Sequence, residues 1–271
     1  MTDRRFWRAN GRVAHVDLGP MGGVSRQRPR MHSIASEVTD LCRLPGEGRD
    51  KQMLFGQSFA VLDVHEGFAF GYDPRDGYVG YVPETALATP FGATHRVGVP
   101  LAHVYAEPDF KSCDIHLLPL GSEVRVVGQD ADFAALDGLG YTVSRHLAPA
   151  DIPAADWVAV AERFADAPYL WGGNTATGMD CSGLVQMSMW AAGRVCPRDS
   201  DLQEAAFPAA TGAARRGDLV FWKGHVGVML DADALLHANA HHMAVTRESL
   251  AQAVERIGAR EFGAVTKIAR P

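Results

Sequence analysis

The stretch GMDCSGLVQ, residues 178–186, holds a cysteine between an aspartate and a Ser-Gly pair, just before an apolar run. The run continues as MSMWAAG and predicts a helix that starts at Cys181 and is ended by Gly193. Backbone N–H groups and the positive end of the helix dipole meet at such a start, which predicts a lowered thiol pKa for Cys181. Free cysteine is also among the most buried residue types, so this position leaves a nucleophile and a space-filling thiol equally open.

Two histidines downstream change that balance. His225 lies in GHVGVML and His237 in LLHANA, and both segments have the apolar character of strands. Antiparallel pairing through the intervening DADA turn would bring His237 beside His225, and Gly227 would leave room for a close approach. Together with Cys181, the two histidines supply a nucleophile, a base that takes its proton and a group that orients the base.

The same three side chains are also potential zinc ligands, which is the main chemical alternative. A zinc site normally needs a further ligand at a suitable spacing. The nearby candidates, His241 and His242, have the character of an exposed turn. We therefore favour nucleophilic catalysis, and we expect neither a metal nor an organic cofactor.

The elements around these residues predict an α+β domain over residues 151–271. Four apolar residues follow helical spacing, namely Trp157, Val160, Ala161 and Phe164. Pro168 is expected to stop that helix. The segments DLVFW, HVGVML and ALLHANA predict strands, the first two joined by a two-residue turn at Lys223–Gly224. TRESLAQAVERI predicts a further helix and AVTKIA a last strand, so helices are followed by an antiparallel sheet.

Residues 38–150 show short strands with frequent turn signals instead. The segment GQSFAVLDVHEGFAF…GYVGYVPETALA is similar to GSEVRVVGQDADFAAL…LGYTVSRHLAP further along the chain. This degenerate repeat of about 50 residues predicts two small β-barrels, residues 38–92 and 93–150. The Pro- and Ala-rich segment APADIPAAD, residues 148–156, predicts a linker. Residues 1–37, which include GPMGG and RQRPR, show no periodicity and predict an irregular segment.

The composition restricts the class of function. A chain of 271 residues exceeds one ordinary core, and 47% hydrophobic with 21% charged residues is typical of globular proteins. A net charge of −6 argues against a nucleic-acid partner, and no run of about 18 apolar residues predicts a membrane span. Four widely spaced cysteines and an N-terminus without an apolar signal segment favour a reducing compartment, so we expect a cytoplasmic protein.

Four motifs, in order, resemble those of one known family. They are Tyr-x-Trp-Gly-Gly, Asp-Cys-Ser-Gly, Gly-Asp-Leu-Val-Phe-Trp and Gly-His-Val-Gly. Over residues 155–270 the chain resembles the NlpC-type cell-wall cysteine peptidases, a papain-like clan. The resemblance implies that Cys181 is the nucleophile, that His225 is the general base and that His237 orients His225.

The same resemblance implies further site residues. Tyr169 would stabilise the oxyanion together with the Cys181 backbone N–H, although the sequence alone would make Tyr169 a core aromatic. Trp171 and Asp180, from the first two motifs, are expected to bind substrate. The segment RDSDLQ resembles the family's segment after the catalytic helix, which implies that Asp199 pairs with a substrate amine and Ser200 lines the pocket. An Asp-Ser pair also favours a helix N-cap, and both roles are compatible.

Family members with two N-terminal SH3-like domains resemble the chain as a whole. Such enzymes cleave the γ-D-glutamyl bond to a diamino acid in peptidoglycan stem peptides. Those acting inside the cell recycle murein peptides that carry a free N-terminal L-alanine. Their first SH3-like domain supplies a tyrosine and an acidic residue to the pocket, and here Tyr81, Tyr78 and Glu47 are the candidates.

We therefore expect a multidomain protein, with two small all-β SH3-like barrels followed by an α+β papain-like cysteine peptidase domain. Its expected activity is that of a cytoplasmic endopeptidase that acts on small peptidoglycan-derived peptides, with no nucleic-acid or membrane partner. Two alternatives stay open at this point: a non-catalytic cell-wall-binding protein, and an acyltransferase or amidase on the same fold.

Overall fold

A computed structural model of the chain describes residues 3–19 and 22–271. The chain divides into two compact units, with the boundary between Asp151 and Ile152. This boundary lies inside the Pro- and Ala-rich segment that the sequence predicts to be a linker. Among the described residues, no helix is both long and apolar enough to span a membrane.

The N-terminal segment contains more regular structure than its sequence predicts. Strands β1 (Val13–His15) and β2 (Ser25–Gln27) pair in parallel, and β3 (Arg30–Ile34) joins the sheet of the first barrel. Only the last two residues of β3 are buried, so the strand lacks the alternation that would reveal it. The predicted irregular stretch GPMGG includes Pro20 and Met21, which lie outside the described residues.

The first barrel is built from one antiparallel sheet. Its remaining strands are β4 (Val38–Leu44), β5 (Glu47–Leu54), β6 (Ser58–His65), β7 (Phe68–Tyr72), β8 (Val79–Pro83) and β9 (Leu87–Ala88). The sheet order is β5-β4-β8-β7-β6-β3-β9. Alternating inward-facing residues form its core, which includes Ile34, Leu41, Met53, Phe59, Ala69 and Val82.

The second β-module follows the same plan. Its strands are β10 (His95–Val97), β11 (Leu101–Tyr105), β12 (Asp114–Pro119), β13 (Glu123–Val124), β14 (Val126–Gln129), β15 (Phe133–Leu136), β16 (Gly140–Val143) and β17 (Leu147–Pro149). They form two sheets, β13-β10-β17 and β12-β11-β16-β15-β14, around one apolar core. Both modules end in a strand, a 3-10 turn and a short strand, with the turns at Glu84–Ala86 and Ser144–His146. The internal repeat of the sequence is therefore a repeat of structure.

The C-terminal unit packs helices against an antiparallel sheet. Its elements are α1 (Trp157–Glu162), β18 (Asn174–Thr175), β19 (Gly178–Met179), α2 (Cys181–Ala191), α3 (Ser200–Ala206), β20 (Leu219–Trp222), β21 (His225–Met229), β22 (Ala234–Asn239), β23 (Ala244–Ser249), α4 (Leu250–Arg260) and β24 (Lys267–Ala269). The main sheet has the order β23-β22-β21-β20-β24. The predicted two-residue turn is present, since Trp222 pairs with His225 across Lys223–Gly224.

Two predicted helices have different bounds. Helix α1 ends at Glu162, six residues before Pro168, because the chain turns back through Asp166, whose φ of +67° is left-handed. The predicted helix TRESLAQAVERI begins as a strand: Thr246 pairs with His237 of β22, and the Ser249 side chain then caps α4. Cross-strand pairing and the cap together override the helical appearance of this segment.

Candidate active site

Cys181 is the first residue of α2, as the sequence predicts. The preceding residue, Asp180, caps the helix by accepting a hydrogen bond of 2.6 Å from the Gly183 N–H. Gly183 lets the helix start lie against the glycine turn before it, since a Cβ there would be 2.4 Å from the Gly173 carbonyl oxygen. The backbone N–H of Val226, on the strand that carries His225, lies close enough to the thiol to act against the rise in its pKa. The cysteine therefore lies beside the start of β21.

A hydrogen-bonded chain of side chains runs away from His225 through the sheet. His225 Nε2 and His237 Nδ1 are 2.8 Å apart, and His237 Nε2 is 2.7 Å from Glu248 Oε1. Strands β21, β22 and β23 carry the three residues and are adjacent in the sheet. The prediction that His237 lies beside His225 is therefore confirmed. Because His237 occupies Nε2, Nδ1 is the His225 ring atom left to face Cys181.

Gly227 provides the space that is expected beside His225. A Cβ on Gly227 would meet the side chain of Leu235 at 2.8 Å. The predicted close approach at Gly227 is therefore confirmed, and the group that approaches is the Leu235 side chain of the adjacent strand. Two aromatic rings pack against the His225 imidazole. The ring of Phe262 stacks on it with 5.4 Å between ring centroids, and the centroid of the Trp222 ring lies 5.7 Å from that of His225.

Burial sets the protonation of the Cys181–His225 pair. It raises the pKa of the Cys181 thiol to about 12, with the Asp180 carboxylate as a further cause. Burial also lowers the pKa of His225 to about 3, helped by the neighbouring His237 and Arg256. The predicted lowering of the thiol pKa is therefore wrong for the thiol on its own, since desolvation outweighs the helix start. A thiolate–imidazolium pair has no net charge, and its formation requires the proton to pass from Cys181 to His225.

Tyr169 lies close enough to Cys181 and Asp180 for both to act on its hydroxyl. Burial, followed by these two groups, raises the pKa of Tyr169, so its hydroxyl is a neutral donor at physiological pH. The tyrosine is half-buried, which differs from the fully enclosed core aromatic that its sequence alone favours. Trp171, two residues later, has 69% of its surface exposed.

Asp180 is held by the protein itself. Its Oδ1 accepts from Gly183 N–H and from Arg198 at 2.9 Å, and its Oδ2 accepts from Gly172 N–H at 2.8 Å and from Arg198 at 2.7 Å. These four contacts occupy the lone pairs of the carboxylate. The prediction that Asp180 binds substrate is therefore corrected: it caps α2 and pairs with Arg198.

The RDSDLQ segment is fixed against α2. Gln203 is fully buried and its Nε2 donates to the carbonyl oxygens of Ser182, at 3.0 Å, and of Pro197, at 2.9 Å. Asp199 occupies the N-cap position of α3, but its side chain makes no capping hydrogen bond, and it is half-buried. Ser200 follows as the first residue of α3, with 9% of its surface exposed.

The three candidates of the N-terminal unit have different surroundings. Tyr78 is 2% exposed and belongs to the core of the first barrel, so the prediction that it lines a pocket is wrong. Tyr81 is half-buried, packs against the tilted ring of Phe70 with ring centroids 5.0 Å apart and accepts a hydrogen bond from Asn10. Glu47 is exposed at the start of β5. For Tyr81 and Glu47 the substrate-binding role stays a prediction.

Comparison with known families agrees with this geometry. A family model described as NlpC/P60 matches residues 166–256, which contain Cys181, His225 and His237. The C-terminal unit is an NlpC/P60 domain. A second model, the bacterial dipeptidyl-peptidase Sh3 domain, matches residues 41–87 of the first barrel. The predicted fold class is confirmed: an SH3-like, strand-rich N-terminal region precedes the papain-like NlpC/P60 domain.

Individual relatives extend the similarity beyond the NlpC/P60 domain. Dipeptidyl-peptidase 6 of Lysinibacillus sphaericus is 31% identical over 54% of this chain and 61% of its own length. Gamma-D-glutamyl-L-lysine dipeptidyl-peptidase of Bacillus cereus is 29% identical over 70% of this chain and 67% of its own. The chain thus spans less than two thirds of the first relative and about two thirds of the second.

The crystal structure of an NlpC/P60 family protein from Bacillus cereus shares the fold. It superposes with a TM-score of 0.72, at 19% identity, over 89% of this chain and 99% of that chain. An identity this low supports a common fold and no more.

Several residues at this site in the NlpC/P60 domain are not predicted by the sequence. Glu248 lies in a segment that resembles a helix, and Arg256 looks like one of many exposed helix charges. Arg198 lies in the RDSDLQ segment, but the sequence of that segment does not indicate that the arginine is only 1% exposed.

No cluster of three or more His, Cys, Asp or Glu side chains that could hold a metal ion occurs within residues 3–19 and 22–271.

Proposed function

We propose that this protein is a cysteine endopeptidase that hydrolyses the γ-D-glutamyl–diamino acid bond of peptidoglycan-derived peptides with a free N-terminal L-alanine. The observation that carries the proposal is that Cys181, at a helix start, lies near Val226, the neighbour of His225, while His225 is hydrogen-bonded to His237. The name of one relative, Gamma-D-glutamyl-L-lysine dipeptidyl-peptidase, supports the choice of the γ-D-glutamyl bond as the one that is cleaved. We further propose that it acts in the cytoplasm, on peptides already released from the wall.

The reaction begins with proton transfer inside the site. The Cys181 thiol proton passes to His225, and the sulfur attacks the γ-glutamyl carbonyl carbon. The developing oxyanion accepts hydrogen bonds from the Tyr169 hydroxyl and from the Cys181 N–H, which as the first N–H of a helix has no intrahelical acceptor. His225 then protonates the leaving amine. Water activated by His225 cleaves the thioester and restores the thiol.

Asp199 is proposed to bind the N-terminal ammonium of the substrate. Its carboxylate is half-buried and is not used as a cap for α3, while Ser200 beside it is nearly buried. The resemblance of RDSDLQ to the family's segment after the catalytic helix supports a role for this carboxylate in binding the substrate. The α-amine of L-alanine, two residues before the scissile bond, provides the positive charge that this carboxylate would bind.

The test compares substrates of different classes with purified protein. L-Ala-γ-D-Glu-diaminopimelate, intact sacculi and a fatty-acyl amide are incubated separately, and products are identified by mass spectrometry. The proposal predicts release of diaminopimelate from the tripeptide alone. Digestion of sacculi would point to a wall-remodelling enzyme, turnover of the acyl amide to an acyltransferase or amidase, and binding to wall without turnover to a non-catalytic wall-binding protein.

A further inference from the structure

Beyond His237, the hydrogen-bonded chain continues into a cluster of charges that the reaction above does not use. The Glu248 carboxylate accepts from His237 Nε2 at 2.7 Å and also from Arg256. The other end of the Arg256 guanidinium donates to Glu261. The three charged side chains are mostly buried, with 12–20% of their surface exposed.

The carboxylate determines which ring nitrogens carry protons. Hydrogen bonds from His237 and Arg256 lower the pKa of Glu248 to about 2 against the opposing effect of burial, so Glu248 is ionised and can only accept. His237 Nε2 must therefore be a donor. A neutral imidazole has one N–H, so His237 Nδ1 is an acceptor and His225 Nε2 donates to it. The neutral His225 ring then has a bare Nδ1, the atom that must receive the thiol proton.

The cluster of Glu248, Arg256 and Glu261 also has a net negative charge. Glu248 and Glu261 contribute two negative charges and Arg256 one positive charge, so the cluster carries a net charge of −1 next to His237. A protonated histidine pair carries +1. Formation of the thiolate thus places a positive charge beside a negative charge that the cluster leaves uncompensated, and burial strengthens this attraction.

We propose that Glu248 is a positioning residue of the active site, which sets the proton pattern of both histidines and stabilises their protonated form through the net charge of the Glu248–Arg256–Glu261 cluster. In the thiolate state, the Sγ proton of Cys181 has moved to Nδ1 of His225. The Nε2 proton of His225 is then shared with His237 Nδ1 along the 2.8 Å hydrogen bond, while His237 keeps its Nε2 proton on Glu248. This inference rests on the proposed function for its role in turnover.

Other charged and titratable groups lie around the histidine pair. They come from each element packed against β22: Cys181 of α2, His225 of β21, Glu248 of β23, Arg256 of α4, Glu261 after α4 and His242 in the turn after β22. His242 is exposed and bonds Asn239 Oδ1 at 2.9 Å, so its charge is screened by solvent.

The first test is the pH profile of Cys181 alkylation by iodoacetamide, which needs no substrate. It is measured by peptide mapping in a Cys113→Ala background, since Cys113 is exposed. Loss of a hydrogen bond to a charged group costs about 1.5–3 kcal/mol, so Glu248→Gln should slow alkylation at pH 7 by about ten- to a hundredfold and shift the inflection to higher pH. Glu255→Gln, an exposed residue of α4, is the matched control and should keep the original profile.

A second variant separates charge from folding. Glu261→Gln leaves both partners of Glu248 in place but removes the net negative charge, so it should shift the profile in the same direction by a smaller amount. It also remains informative where Glu248→Gln fails to fold. Unchanged profiles in the folded variants would overturn the proposal.

The proton pattern itself is read by ¹⁵N NMR of histidine-labelled Cys181→Ala protein at pH 8, where no thiol proton is present. The proposal predicts a proton on Nε2 of both His225 and His237, and none on Nδ1 of either. A proton on His237 Nδ1 would contradict it. Because neither experiment uses a peptide, a shifted alkylation profile without tripeptide hydrolysis would reject the proposed function while leaving the role of Glu248 intact.

Discussion

The guanidinium of Arg198 donates two hydrogen bonds, of 2.9 and 2.7 Å, to the two carboxylate oxygens of Asp180, the residue before Cys181. Both side chains are almost fully buried. Asp180 raises the pKa of the Cys181 thiol, and Arg198 acts in the opposite direction. The pair thus caps α2 without leaving an uncompensated negative charge beside Cys181.

Removal of Arg198 is expected to destabilise the NlpC/P60 domain. Arg198→Leu leaves Asp180 as a buried, unpaired charge, which costs about 3–5 kcal/mol. Chemical denaturation followed by tryptophan fluorescence measures the effect, since four of the five tryptophans lie in this unit. Arg194→Leu, at an exposed position of the same loop, is the control and should change the free energy of unfolding by less than about 0.5 kcal/mol. Equal effects of the two substitutions would contradict the structural role of the pair.

The buried imidazole of His225 should make the domain sensitive to acid. Its pKa falls from 6.5 to about 3 on folding, so the unfolded chain binds a proton that the folded domain does not. The contribution of His225 to the free energy of unfolding is therefore fully present above pH 6.5. It is lost as the pH falls towards 3, by at most about 1.4 kcal/mol per pH unit. His225→Gln should flatten that part of the stability curve, whereas His241→Gln, at an exposed position, should not. Parallel curves for all three proteins would show that His225 titrates as in the unfolded chain.

Two helical glycines should respond to alanine in opposite directions. A Cβ at Gly183 would lie 2.4 Å from the Gly173 carbonyl oxygen, so Gly183→Ala must displace the start of α2 and lower both stability and activity. At Gly258, in α4, the nearest atom is 3.8 Å away, and Gly258→Ala should stabilise the helix by up to about 1 kcal/mol. Thermal unfolding of both variants checks the difference. Stabilisation by Gly183→Ala would mean that the close approach does not exist.

The sequence predicts those site residues whose position depends only on neighbouring residues in the chain. Cys181 is identified by its place at a helix start, and His237 by the turn that pairs its strand with that of His225. Glu248 could not be identified, because a segment with helical composition forms a strand once β22 is available as its partner. The resemblance calls for a tyrosine from the first barrel but does not tell which of two nearby tyrosines faces its core, and Tyr78 is the one that does.

We propose that the substrate needs a free α-amine and that the Asp199 carboxylate binds it. N-acetylation of L-Ala-γ-D-Glu-diaminopimelate removes the charge that this carboxylate would pair with. A charge-assisted contact is worth about 1.5–3 kcal/mol, so acetylation should lower kcat/KM by about ten- to a hundredfold. Asp199→Asn should reduce activity on the free peptide and narrow the difference between the two substrates. Equal rates on both peptides with the wild-type protein would show that Asp199 does not bind the α-amine of the substrate.

In the proposed mechanism the Cys181 sulfur attacks the γ-D-glutamyl carbonyl, and product analysis with matched cysteine variants tests this step. Wild-type protein, Cys181→Ala and Cys113→Ala are incubated with L-Ala-γ-D-Glu-diaminopimelate, and release of diaminopimelate is followed by mass spectrometry. We predict that Cys181→Ala retains its fold by circular dichroism but loses at least about a thousandfold in turnover, because only the nucleophile is removed. Cys113→Ala should match the wild-type protein. Diaminopimelate release by Cys181→Ala at the wild-type rate, or cleavage at the L-Ala–γ-D-Glu bond instead, would exclude attack by Cys181 on the γ-D-glutamyl carbonyl.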